Sequence, residues 1–297
     1  HQRGYYEAAW EAIENSLELA PTELPTRSFL FDIALAKKDE ALMLEAQARL
    51  LEMINDKSDP DYVVTEVKRQ ISRFGDGQAS KDDLREVHEM LEGAIERRGS
   101  WHELHILDAQ LEMLIDGNMN AALRSLDRAL DAGPAVTSAV VLQTRLLFQS
   151  KRYQEAYEKL QLLPMAKRTE LLGRLEAELY QKLGRKKDAY QSAKKLAELH
   201  PNDDATQMWF AGIARYAGET AAAEQAMKQG LQLRSNSPNY WFELVAHYFD
   251  QGDAENVFDT MRQATLAVNA EFIPLMAART AEMGGRGQAA EDLYLKA

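Results

Sequence analysis

His102 and His105 stand three residues apart, a spacing that sets two imidazoles on one helix face and could offer a metal two ligands. His88, His200 and His247 are isolated along the chain, no HExxH occurs, and no carboxylate cluster meets a histidine at ligand spacing. No metal site is therefore expected. With no cysteine, the chain has no disulfide, thiolate zinc site, iron–sulfur cluster or cysteine nucleophile. Two glycine-rich stretches, Gly75-Asp76-Gly77 and Gly284-Gly285-Arg286-Gly287, could cradle a phosphate, but neither follows a strand; turns between helices explain both. There is no Gly-x-Ser-x-Gly elbow for a nucleophilic serine. The paired acids Asp82-Asp83 and Asp203-Asp204 fall at expected helix starts, where the helix dipole favours them, so they read as structural rather than as an acid/base pair. These residues supply no catalytic group, no cofactor loop and no metal set, and the chain is not expected to be an enzyme.

The elements that would carry such residues follow from composition and period. The 297 residues hold 35 basic and 47 acidic side chains, a net charge of −12. A net anion is repelled by phosphate surfaces, so neither nucleic acid nor a membrane is an expected partner. The hydrophobic fraction of 45% is that of a folded protein. The most apolar stretches, residues 28–36 and 272–278, are far shorter than the roughly 18–20 residues of a spanning helix.

Internal repetition is the strongest signal. Gly184, Ala189 and Pro201 are separated by steps of five and twelve, and the same steps join Gly117, Ala122 and Pro134, and again Gly4, Ala9 and Pro21. The glycine position falls at Gly117, Lys151, Gly184, Gly218, Gly252 and Gly285, at intervals of 33 or 34 residues. Five residues on stand Ala122, Ala156, Ala189, Ala223, Val257 and Ala290. Glycine tolerates the positive φ that ends a helix, alanine lets two helix backbones approach, and proline stops one helix or starts the next. Between these marks apolar residues recur at three and four. Leu171, Leu175, Leu179 and Leu183 should line one helix, and Ala189, Ala193, Leu196 and Leu199 its partner. The reading is all-α: antiparallel helix pairs and no sheet. Trp209, Trp241 and Tyr180 fall at helix-packing spacing and are expected in the core.

This pattern resembles the tetratricopeptide repeat family. Tyr180, Gly184, Ala189 and Pro201 carry it in the unit from Glu170; Trp241, Tyr248, Gly252 and Ala264 in the unit from Pro238; Gly285, Ala290, Tyr294 and Ala297 in the last. Lys151 at a turn, Val257 for the small residue and Pro164 as an early stop depart from it. The resemblance implies a right-handed superhelical solenoid with a concave face. It is strong from residue 103 to the end. Residues 1–102 form less regular repeats that begin with an orphan second helix, residues 103–297 form regular repeats with the last incomplete, and the two make one solenoid. Seven helix pairs are expected from Thr22 onward. Between Phe74 and Lys81 the turn is long, and Ser80 with Asp83 reads as a helix N-cap pair. Both ends cut a repeat in half, which predicts a piece of a longer repeat protein. Tyr6, Trp10, Ile13 and Leu17 of the orphan helix should then be exposed and favour end-to-end self-association.

In the family the groove is lined by the second, fifth, ninth and twelfth places of each first helix. Carried over, these are Leu104, Leu107, Leu111 and Leu114; Ser138, Val141, Arg145 and Phe148; Leu171, Arg174, Glu178 and Gln181; Ala205, Met208, Gly212 and Arg215; Asn239, Phe242, Ala246 and Phe249. No consecutive pair of units reproduces the family's chaperone-tail clamp of lysine and asparagine. The function so implied is a non-catalytic scaffold that binds an extended peptide or partner helix. Arg145, Arg174 and Arg215 mark a strip for acidic groups, Phe148, Phe242 and Phe249 an apolar flank, and Glu178 and Gln181 their neighbours. Against this, each arginine could simply neutralise a local acid such as Glu178. Alternatives are the repeat arm of a larger enzyme, such as a glycosyltransferase, or a self-assembly module.

Overall fold

The computed structural model describes residues 8–13, 15–16, 24–133 and 136–295. Among these there is no strand. Residues 8–13 are helical. Sixteen α-helices then follow as eight helix–turn–helix units. These are α1 (Leu24–Lys37) and α2 (Glu40–Ile54); α3 (Pro60–Gly75) and α4 (Lys81–Arg98); α5 (His102–Ile115) and α6 (Met119–Asp131); and α7 (Thr137–Gln149) and α8 (Tyr153–Leu160). The others are α9 (Met165–Lys182) and α10 (Lys186–Leu199); α11 (Asp204–Ala217) and α12 (Thr220–Leu233); α13 (Pro238–Asp250) and α14 (Ala254–Ala267); and α15 (Ile273–Met283) and α16 (Gly287–Tyr294). The count exceeds the seven expected, because the six turns of the regular phase and the two irregular turns before it each carry a pair.

The turns explain why the chain reverses where it does. Gly117, Gly184, Gly218, Gly252 and Gly285 all have positive φ, between 65° and 89°, and Lys151 holds the same place at φ 61°. Lys38 (φ 55°) and Gly77 (φ 73°) do the same in the two N-terminal turns. After Gly117 the Asn118 amide reaches back six residues to Glu112 O at 3.1 Å; at the other turns the amide of the next residue reaches a carbonyl five residues earlier. Arg185 N–H donates to Tyr180 O at 2.9 Å, Glu219 to Ala214 at 2.9 Å, Asp253 to Tyr248 at 3.0 Å and Arg286 to Ala281 at 2.9 Å. Asp39, Gln78 and Arg152 donate likewise to Ala34, Arg73 and Leu147. This is the Schellman closure, which satisfies carbonyls that the helix end would leave bare. The five alanines that follow the turns, Ala122, Ala156, Ala189, Ala223 and Ala290, are at most 2% exposed. Helix starts are capped in turn. Asp39, Asp59, Asn118, Asp203 and Asp253 accept from amides of the first turn, and Ser80 with Asp83 closes a full capping box.

The chain divides into two compact lobes. The first comprises residues 1–152 and 158–163, the second residues 153–157 and 164–297. The boundary expected at residue 102 falls inside the first lobe. In that lobe Val63, Val67, Leu84, Leu91, Leu104 and Leu111 form one apolar core, and Leu30, Phe31, Ala34, Met43 and Ala46 another. Trp10 and Ile13 of the N-terminal helix pack against the latter, so these two are not the free apolar surface expected of an orphan; Tyr6 and Leu17 lie outside the described residues. In the second lobe the core runs through Ala189, Ala193, Phe210, Ala214, Met227, Trp241 and Tyr248. Two expected core leucines are exposed instead. Leu171 lies beside Leu172, whose φ −136° and ψ 17° break the helical path of α9, so Leu172 and not Leu171 is buried. The helix also begins at Met165, directly after Pro164, rather than near Glu170. Leu199 ends α10, and Ala197 takes the inward place.

A buried polar node joins α2 to α3. Gln47 Nε2 donates to Glu66 at 3.0 Å, Gln70 Nε2 at 2.8 Å and Arg69 through two nitrogens at 3.0 and 2.6 Å. Burial pushes the Glu66 carboxyl up, but the bonds from Arg69, Gln70 and Gln47 outweigh it and hold the group below its ordinary value. Its stabilisation is therefore present above the unfolded value of 4.5 and is lost as pH falls through the lower folded one.

Two outcomes follow. Gly218→Ala should cost about 1–2 kcal/mol, because a Cβ is strained at this φ, whereas Lys151→Gly should gain about 0.5–1 kcal/mol; urea unfolding midpoints check both. Glu66→Gln should cost about 2 kcal/mol near pH 7. That deficit should shrink steadily below about pH 4.5, which thermal melts across an acid series would show.

Candidate functional site

In the second lobe the first helices of successive repeats are tied side by side by polar contacts. Arg174 Nη2 on α9 donates to Thr206 Oγ1 on α11 at 3.0 Å, and Tyr216 Oη on α11 donates to Gln181 O at 3.1 Å. Tyr240 Oη on α13 donates to Asp204 on α11 at 2.7 Å. Thr206 Oγ1 in turn donates a hydrogen bond to Asp203, whose carboxyl is held below the usual range by that bond first and by the Arg174 charge among the lesser causes.

Between these helices lies an open groove of about 610 Å³. Met208, Ile213 and Met227 give it an apolar lining, Trp209 and Tyr240 add aromatic surface, and Glu178, Gln181, Lys182, Arg215, Asn239 and Glu243 add polar groups. Arg215 and Glu243 face each other at 3.6 Å, both half exposed, a distance and exposure at which an ion pair contributes little. The Arg174 guanidinium lies over the Trp209 ring, 5.3 Å from its centroid. Gly212 leaves the backbone of α11 uncovered here: a Cβ built on it meets nothing within 4 Å.

No model of a known protein family matches this sequence, and neither does any curated protein. Solved structures do match. The C-terminal part of a TPR repeat-containing protein from Cytophaga hutchinsonii aligns at a TM-score of 0.59 and 13% identity, covering 82% of this chain and 95% of that one. A chain of the APC/C hetero-tetramer Cut9–Hcn1 aligns at 0.55 and 12%, covering 98% of this chain and 52% of its own length. This chain thus spans about half the length of that relative. YrrB, a TPR protein with an unusual peptide-binding site, aligns at 0.50 and 16%, covering 69% and 97%. The chain has the tetratricopeptide-repeat fold.

The tetratricopeptide places carried over from sequence are realised unevenly. Glu178, Gln181 and Arg215 come together in the groove, with Met208, Gly212 and Asn239 from the same set. Arg174 stands beside it, engaged by Trp209 and Thr206, with its charge also acting on Asp203. Phe242 lies under the Arg279 guanidinium at 5.2 Å, and Phe249 is half exposed; neither lines the groove. Arg145 and Phe148 sit on α7, in the first lobe. Leu104 and Leu111 are fully buried in the first-lobe core, so these places are packed against neighbouring helices and offer no groove surface. That lobe has its own hollow of about 460 Å³, lined by Leu35, Ile106, Leu107 and Ser138 beside Lys68. Lys68 is held there between Asp32 at 2.9 Å and Glu103 at 2.7 Å.

The histidines depart from the sequence reading. His105 is buried with Nε2 donating to Gly99 O at 2.7 Å, so it and His102 do not form a ligand pair. His88 is not isolated. Its Nε2 lies 2.8 Å from Asp108 Oδ1, Ser125 Oγ donates to Asp108 Oδ2 at 2.5 Å, and Glu112 stands one turn beyond Asp108. The Asp108 bond, with the charges of Asp108, Glu112 and Glu92, holds the imidazole above its ordinary value against burial. Burial pushes Asp108 up, but His88, Ser125 and Arg128 pull it below the carboxylate range. Spacing within one helix cannot show a contact that joins α4 to α5. The only sequence trace is Asp108 and Glu112 at four apart.

Proposed function

We propose that this chain is a non-catalytic protein-interaction scaffold, and that the second-lobe groove accepts an extended peptide carrying an acidic side chain beside an apolar one. The observation that carries this reading is the groove itself. Met208, Ile213 and Trp209 supply apolar contact area next to the cations Lys182 and Arg215, and Gly212 lets a peptide backbone approach α11. The weak Arg215–Glu243 pair leaves the guanidinium available, and its planar donors suit a carboxylate. The fold-level likeness to YrrB, a TPR protein with a peptide-binding site, is consistent with this use of the groove. Arg145 and Phe148, on α7, are not needed for it.

A displayed peptide library selects the ligand, and fluorescence anisotropy with one labelled peptide measures it. Gly212→Leu should keep or raise stability, by about 0.5–1 kcal/mol, because leucine is the better helix former. It should nonetheless abolish binding by filling the groove. Arg174→Ala with Arg215→Ala should weaken binding about tenfold, or about 1.4 kcal/mol, and flatten its salt dependence. Unchanged affinity in the folded variants would refute the reading.

A second reading, self-association, draws on Phe258, Leu266 and Leu295 in the last two repeats, which are 78%, 86% and 83% exposed. Sedimentation velocity across a concentration series should show a mass that rises with concentration and falls back in Phe258→Ser with Leu266→Ser.

A further inference from the structure

We propose that His88, Asp108 and Glu112 form a binding site for a divalent ion of the zinc class, where α4 meets α5. Each residue presents one ligand atom, and the three atoms lie within 4.8 Å of one another. Zinc holds nitrogen and oxygen at about 2.0–2.2 Å, so two ligands on a tetrahedral ion stand about 3.3 Å apart. The His88 Nε2 to Asp108 Oδ1 separation of 2.8 Å needs to open by only about half an ångström. Glu112 closes the rest through its own rotamers, since it sits one helical turn from Asp108 on the same face of α5.

The surroundings favour a cation with two charges. Asp108 and Glu112 set two carboxylates beside one imidazole, with Arg85 the guanidinium one turn before His88, paired to Asp82 at 2.6 Å. The frame is rigid, because Leu84 and Leu91 on α4 and Leu104 and Leu111 on α5 are fully buried around it. Ser125, from α6, bonds Asp108 Oδ2 and so turns Oδ1 toward His88, the outer-shell orientation that metal sites use. His88 and Glu112 are both partly exposed, which leaves water a path to the remaining position. One imidazole with two carboxylates suits zinc, cobalt or manganese. It is too nitrogen-rich for calcium and lacks the sulfur that selects copper(I).

Calorimetry with Zn²⁺ on the whole chain, and the visible spectrum of Co²⁺ added in its place, test the site. One ion per chain should bind, with the intense absorption of low-coordinate cobalt. His88→Gln and Glu112→Gln should each weaken Zn²⁺ binding about tenfold or more, and Ser125→Ala about tenfold through Asp108. Glu112 is partly exposed, so its variant keeps the fold. Absence of saturable Zn²⁺ binding would overturn the proposal. So would binding that survives unchanged in both His88→Gln and Glu112→Gln, which would place the ion on the other histidines.

Discussion

Seven of the eight described helix–turn–helix units depend on one backbone event, a residue at positive φ followed by an amide that bonds five residues back. It recurs at Lys38, Gly77, Lys151, Gly184, Gly218, Gly252 and Gly285. The event fixes the direction in which the second helix leaves the first, and so decides which of its residues meets the first helix at closest approach. Five residues on, that place is alanine in nearly every regular unit and is buried. A larger side chain there would hold the two backbones apart. The hydrophobic effect supplies the driving force, but the turn selects the one antiparallel arrangement in which it can act.

The groove is a second-order product of this arrangement. First helices of neighbouring repeats meet through polar ties such as Arg174 with Thr206 and Tyr240 with Asp204, and not through apolar packing alone. These ties use the ends and edges of the helices. The middle of α11 is thereby left with Gly212 facing open space, beside Met208 that packs on the core and lines the groove.

The turn phase was legible because backbone geometry selects glycine so strongly that even Lys151 could be placed by counting. The alanine places and the Ser80–Asp83 box were legible for the same reason: each is a local rule acting over a few residues. Leu171 and Leu199 were misplaced because the three-and-four period assumes an unbroken helix, and α9 is broken at Leu172. Leu104 and Leu111 were assigned to a groove because a family position was carried into a unit where neighbouring helices cover it. The His88 cluster escaped altogether. His88 stands 20 residues before Asp108 on a different helix, and a contact of that kind depends on how helices are packed. Glu178, Gln181 and Arg215 were foreseen, but their convergence with Lys182 and Tyr240 belongs to packing as well.

The closure of each helix pair by its own turn bears on how the chain folds. The longest of the ties between first helices in the second lobe, Tyr240 to Asp204, spans 36 residues. Low contact order of this kind lets helical proteins fold in microseconds to milliseconds. It also lets each hairpin complete itself soon after its second helix leaves the ribosome, without waiting for distant sequence. A nascent chain built this way never has to hold a long unpaired segment in store, so its apolar faces are covered nearly as fast as they are made.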